Sequence, residues 1–112
     1  MFNIFQPKVP LISAEELNVA ISESTPTIID VRTEGERTKG YIANSVHIPI
    51  DDFASKFTNI ITDKNAPVVI YCLSGSRSAL AADIMIKSGY TNVKSLDHGL
   101  LAWRAKKLPV VI

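Results

Sequence analysis

Cys72 is the only cysteine in the chain, and it opens the segment Cys72-Leu73-Ser74-Gly75-Ser76-Arg77-Ser78. A single sulfur excludes an internal disulfide, a C-x-x-C redox pair and a multi-cysteine zinc site, so thiol chemistry here uses one nucleophile. Small residues at positions 74, 75, 76 and 78 let the backbone curl and turn successive N–H groups toward one point, which the sulfur can occupy. A helix expected to begin at Ser78 adds its unpaired N-terminal N–H groups and the positive end of its dipole, and Arg77 adds a full positive charge. All three effects favour a thiolate. A free thiol with a pKa near 8.5 is about 3% ionised at pH 7, and lowering the pKa by about two units ionises roughly three quarters of it. The same shift lowers intrinsic nucleophilicity about eightfold, so the larger task of such a loop is to hold an anionic sulfur and receive an oxyanion.

The elements around this loop follow from the apolar pattern. Pro67-Val68-Val69-Ile70-Tyr71 is the strongest strand candidate, and Thr27-Ile28-Ile29-Asp30-Val31 is a second strand, apolar on both faces. Val9 to Ile12, Ser45 to Ile48 and Val93 to Leu96 read as further short strands. Ser13 and Glu16 form a capping box for a helix from about Ala14 to Ser22, with Leu17, Ala20 and Ile21 on one face. Arg32 to Lys39 suits a short exposed helix stopped by Gly40. Asp51 or Asp52 is the expected cap of a helix carrying Phe53, Phe57, Ile60 and Ile61 on one side. Leu80, Ala81, Ile84 and Met85 are expected to face inward from the helix after the cysteine loop, with Gly89 at its end. A last helix carries Leu100, Leu101 and Trp103 ahead of Pro109.

Strands alternating with helices predict an α/β domain: an open parallel sheet of about five short strands, with helices on both faces. Ligands in such sheets bind beyond the carboxyl ends of the strands, where Cys72 falls. The 112 residues fit one domain spanning 1–112, and 46% hydrophobic content can supply its core. A formal charge of +1 gives no electrostatic footprint for nucleic acid or anionic membrane. The segment Met1-Phe2-Asn3-Ile4-Phe5-Gln6-Pro7 lacks the features of a secretory signal, and no apolar run approaches a membrane span, so a soluble cytoplasmic protein is expected.

Three motifs carry a resemblance to the rhodanese family of single-domain sulfurtransferases, and it covers most of the chain. Cys72, Gly75, Arg77 and Ser78 resemble the family's C-x-x-G-x-R-S loop. Asp30-Val31-Arg32, Glu36 and the run Gly40-Tyr41-Ile42-Ala43-Asn44-Ser45-Val46-His47-Ile48-Pro49 resemble D-V-R, an acidic residue and G-H-I-P-G-A-x-N-I-P. His98-Gly99 and Trp103 resemble a double glycine before tryptophan. The chain departs from the pattern at Tyr41, where histidine is usual, at Ala43 and Asn44, which replace proline and glycine, and at His98, which replaces the first glycine of the pair. Asn44 can still adopt the left-handed turn conformation.

The resemblance implies a two-step transfer. Cys72 takes a sulfane sulfur from a small anionic donor such as thiosulfate, or from a protein persulfide, and passes it to a thiol or cyanide-like acceptor. A sulfur-relay protein is a further partner. No cofactor and no metal are implied. Arg77 and the loop amides from Leu73 through Ser74, Gly75 and Ser76 to Ser78 would bind the donor and steady the persulfide. Asp30, Arg32 and Glu36 read as structural support of the sheet rim, with Arg32 and Glu36 four residues apart and able to pair. His98 should lie on the same rim as the cysteine loop, while His47 reads as a packed or surface histidine, Trp103 as core packing and Lys106-Lys107 as a solvated helix end. One alternative function is a persulfide carrier or docking module without efficient turnover. Another is a cysteine phosphatase or arsenate reductase, but their C-x-x-x-x-x-R loop is one residue longer: Arg77 lies five residues after Cys72, and the sixth is Ser78.

Overall fold

A computed structural model describes residues 7–112. The segment read above as lacking a secretory signal lies outside them, except for Pro7. The element order is β1 (Leu11–Ile12), α1 (Ala14–Glu23), β2 (Thr27–Asp30), α2 (Glu34–Arg37), β3 (Val46–His47), α3 (Ile50–Ile60), β4 (Val68–Tyr71), α4 (Ser76–Lys87), β5 (Val93–Leu96) and α5 (Gly99–Ala105). The five strands form one parallel sheet in the order β1-β5-β4-β2-β3, which places β4, the strand leading into Cys72, at its centre.

Both faces of the sheet are covered. On one, Phe53 and Phe57 of α3 and Ala81, Ala82 and Met85 of α4 pack on Ile29, Val68, Ile70 and Val93. On the other, Leu17 of α1 and Leu100 and Trp103 of α5 pack on Ile28, Val69, Tyr71 and Leu96. All four β4 residues are buried, as a strand sandwiched between two helical layers requires. Side chains alternate along a strand, so Tyr71 enters one core and Cys72 the other.

The Ser13–Glu16 capping box is present in both directions, with Glu16 N–H donating to Ser13 Oγ at 3.1 Å and Ser13 N–H to Glu16 Oε1 at 2.9 Å. Several expectations need correction. The helix after the cysteine loop starts at Ser76 rather than Ser78, because Gly75 at φ +117 turns the chain into it. Leu80 and Ile60 are exposed, at 46% and 44%, because each lies beside rather than on the apolar stripe of its helix. Neither Asp51 nor Asp52 caps α3: Pro49 holds the N-cap position, and both acids fall in the first turn, where they favour the dipole instead. The exposed helix after Arg32 shortens to Glu34–Arg37, since Thr33 caps it only there.

Candidate functional site

Cys72 follows the last residue of β4 and has no exposed surface. Its sulfur is held at the head of α4: Gly75 N–H donates to Sγ at 3.1 Å, and the thiol donates to Ser78 Oγ at 3.6 Å. Gly75 makes this close approach possible, because its left-handed φ suits a residue without a Cβ. Burial pushes the Cys72 thiol up, but the Ser78 hydroxyl and the N–H groups of Ser78, Gly75 and Ser74 outweigh it and leave the thiol below its ordinary range. The Ser78 hydroxyl also donates to Gly75 O at 3.1 Å and lies 2.7 Å from Ser95 Oγ. Ser95 is two residues on from Val93 in β5 and shares its inward face, the only sequence signal for its place beside the loop.

The loop is tied from behind by α5. Leu100 N–H donates to Cys72 O at 2.9 Å and Leu101 N–H to Leu73 O at 3.1 Å, so the head of α5 is satisfied by cysteine-loop carbonyls. Gly99 allows this contact, since a Cβ there would lie 2.5 Å from Cys72 O. Leu73, Ser74 and Ser76 lie on the exposed side of the loop. Ser74, Gly75 and Ser76 share a cavity of about 580 Å³ with Ser95, Asp97 and His98, which brings His98 to the rim beside the loop.

Asp30 ends β2 level with Tyr71 in the sheet register. Its buried carboxylate accepts from Arg32 N–H at 2.9 Å, Arg32 Nε at 3.0 Å and Nη2 at 2.8 Å, Arg37 Nη1 at 3.1 Å and Tyr71 OH at 3.0 Å. Burial acts to raise the Asp30 pKa, but these donors, Arg32 first, hold it below the usual carboxylate range. Tyr71 OH also accepts from Ile42 N–H at 3.1 Å, and Arg37 reaches Ser45 Oγ at 3.1 Å and Ser45 O at 2.9 Å. Tyr71, Arg37, Ser45 and Ser95 are the site-supporting residues that sequence reasoning missed.

The expected Arg32–Glu36 pair does not form through the carboxylate. Arg32 is taken by Asp30 and touches only the Glu36 carbonyl, at 3.4 Å. The Glu36 carboxylate instead takes Arg77 in a two-pronged pair, Nη1 to Oε1 at 2.7 Å and Nη2 to Oε2 at 2.9 Å. Arg77 and the Thr33 donors bring the Glu36 pKa down to about 2, against a smaller opposing effect of burial. Among the described residues no cluster of three or more His, Cys, Asp or Glu could hold a metal, and no helix is long and apolar enough to cross a membrane.

Residues 13–106 match the family described as Rhodanese-like domain. The chain belongs to the rhodanese-like domain family. It is 32% identical over 101 residues to a sulfurtransferase of Allochromatium vinosum, covering 89% of this chain and 92% of that protein. The crystal structure of a rhodanese-related protein from Thermoplasma volcanium superposes with a TM-score of 0.81 at 30% identity, covering 92% of this chain and 98% of that one. A rhodanese-like domain protein from Staphylococcus aureus superposes with a TM-score of 0.77 at 33% identity, covering 85% and 91%. The open five-stranded sheet expected from the sequence is thus a rhodanese-like fold, and the family is one of sulfur transfer.

The departures from the rhodanese pattern have structural outcomes. Tyr41 lies under Arg37, whose Cζ is 4.0 Å from the ring centroid, so an aromatic face meets the guanidinium that braces Asp30. Asn44 adopts φ +66, and His98 adopts φ +57 where the family has glycine, with its imidazole turned out to solvent. His47 Nε2 lies 2.7 Å from Arg32 O and so joins the rim rather than the cysteine loop.

Proposed function

We propose that this protein is a sulfurtransferase that carries sulfane sulfur as a persulfide on Cys72. The observation that supports it is the single sulfur at the end of the central strand, facing the Gly75 N–H at 3.1 Å and the Ser78 hydroxyl at the head of α4. The Gly75 N–H is fixed before reaction and is aimed at the place where negative charge must rest. In the first step the Cys72 thiolate attacks the outer sulfur of the donor. With thiosulfate the S–S bond breaks and sulfite leaves with the electron pair; with an alkyl persulfide the leaving group is an alkyl thiolate. In the second step an acceptor thiolate or cyanide attacks the terminal sulfur, and Cys72 leaves as the thiolate. Because Cys72 is fully covered, the segments over it must open for a donor to reach the sulfur. Ser78 turns its hydroxyl proton toward the sulfur once the thiol proton has gone.

The carrier reading has one observation in its favour. The loop's one basic side chain, Arg77, is paired with Glu36, which offsets the charge that would attract an oxyanion. A single thiol without a disulfide partner suits a reducing compartment, so the site of action in this proposal is the cytoplasm. Mass spectrometry after exposure to donors tests the proposal. The expected result is the gain of one sulfur by the wild-type protein, its removal by cyanide, and no gain in Cys72→Ser. Loading by a persulfide-bearing protein without loading by thiosulfate selects the carrier reading. No sulfur gain from any donor rejects both.

A further inference from the structure

The pairing of Arg77 with Glu36 bears on which donor the loop accepts. The fork formed by Nη1 and Nη2 of a guanidinium fits one carboxylate or one sulfonate, and Glu36 occupies that fork in Arg77 and neutralises the charge. Glu36 does not swing freely. Its Oε1 also accepts from Thr33 N–H at 3.0 Å and Thr33 Oγ1 at 3.1 Å, so the capping box of α2 holds the carboxylate against Arg77. Two other guanidinium groups, those of Arg32 and Arg37, are held by Asp30. A dianionic donor that approaches Arg77 therefore meets a neutralised guanidinium with a carboxylate beside it.

We propose that Glu36 is a specificity-determining residue: by occupying the fork of Arg77 it disfavours dianionic thiosulfate and leaves low-charge persulfide sulfur as the preferred donor class. This rests on the sulfur-transfer reading above. An alkyl persulfide transfers its outer sulfur and releases an alkyl thiolate without presenting a sulfonate, so it has no use for the fork. Thiosulfate has one, because its departing sulfite carries the charge that a free Arg77 would bind.

The test compares loading of Cys72 by thiosulfate and by 2-hydroxyethyl persulfide in the wild type, in Glu36→Gln and in the double variant Glu36→Gln with Arg77→Gln. Glutamine keeps an oxygen for Thr33 and removes the charge. Because the pair is about a third exposed, solvent moderates the effect, and the expected gain in kcat/KM for thiosulfate in Glu36→Gln is about tenfold, mainly through KM. Loading by the persulfide should stay within about twofold, and adding Arg77→Gln should remove the thiosulfate gain. An unchanged or lower thiosulfate rate in Glu36→Gln, with persulfide loading retained, overturns the inference. Loss of loading from both donors in that variant overturns it too, by making Glu36 a purely structural residue. Failure of both donors on the wild type instead rejects the sulfur-transfer reading on which the inference stands.

Discussion

At the scale of single residues, the chemistry was legible where identity and spacing suffice. Cys72 before a small-residue loop, and Gly75 where the chain must turn, need no tertiary knowledge. The partners of charged side chains do need it. Arg32 and Glu36 have helix-neighbour spacing, yet Arg32 turns back to Asp30, two residues earlier, and Glu36 crosses to Arg77, 41 residues away. Tyr71 was unreadable for the same reason: it looks like one more apolar strand residue, and only the register that sets it level with Asp30 reveals its hydroxyl at 3.0 Å from the carboxylate. That hydroxyl meets three buried groups at once, Asp30, the Ile42 N–H and Ser45 Oγ, so Tyr71→Phe leaves the Ile42 N–H unpaired and removes one donor from Asp30. The expected loss is about 2 kcal/mol in denaturant unfolding, with the sulfur-loading capacity of the folded protein retained.

At the scale of elements, strands and helices were readable because each carries its own signal, and their ends were less so because ends depend on contacts. The capping box at Ser13 is local and stands where the pattern put it. The start of α4 is set by Gly75 closing on the sulfur, and the start of α5 by carbonyls that Cys72 and Leu73 present. The first is foreshadowed by the small residues after Cys72, whereas the second has no sequence signature. The α5 contact also joins stability to the site. A Cβ at residue 99 would lie 2.5 Å from Cys72 O and 2.6 Å from Leu73 O, both backbone atoms, at a φ of +54. Gly99→Ala is expected to lower unfolding stability by about 3 kcal/mol and to slow sulfur loading per folded molecule. Wild-type stability with unchanged loading would show that α5 does not hold the loop.

At the scale of the whole molecule, the alternation of strands and helices predicted a parallel sheet with two covered faces, and doubly apolar β2 and β4 were the reason. The strand order was beyond that reading, because nothing local says which strands are neighbours. It matters here: with β4 central, the cysteine loop is flanked by β2 and its Asp30 network on one side and by β5 with Ser95 and His98 on the other. The fold thus gathers donors from the loop and the head of α4 around one sulfur, with the loop carbonyls held by α5 and Ser78 beside Ser95 of β5. The most direct test is to follow Cys72 thiolate absorbance against pH in the wild type and in Ser78→Ala. Ionisation below the ordinary thiol value is expected, moved upward when the Ser78 hydroxyl is removed. Wild-type ionisation at or above that value, unchanged in Ser78→Ala, would contradict it.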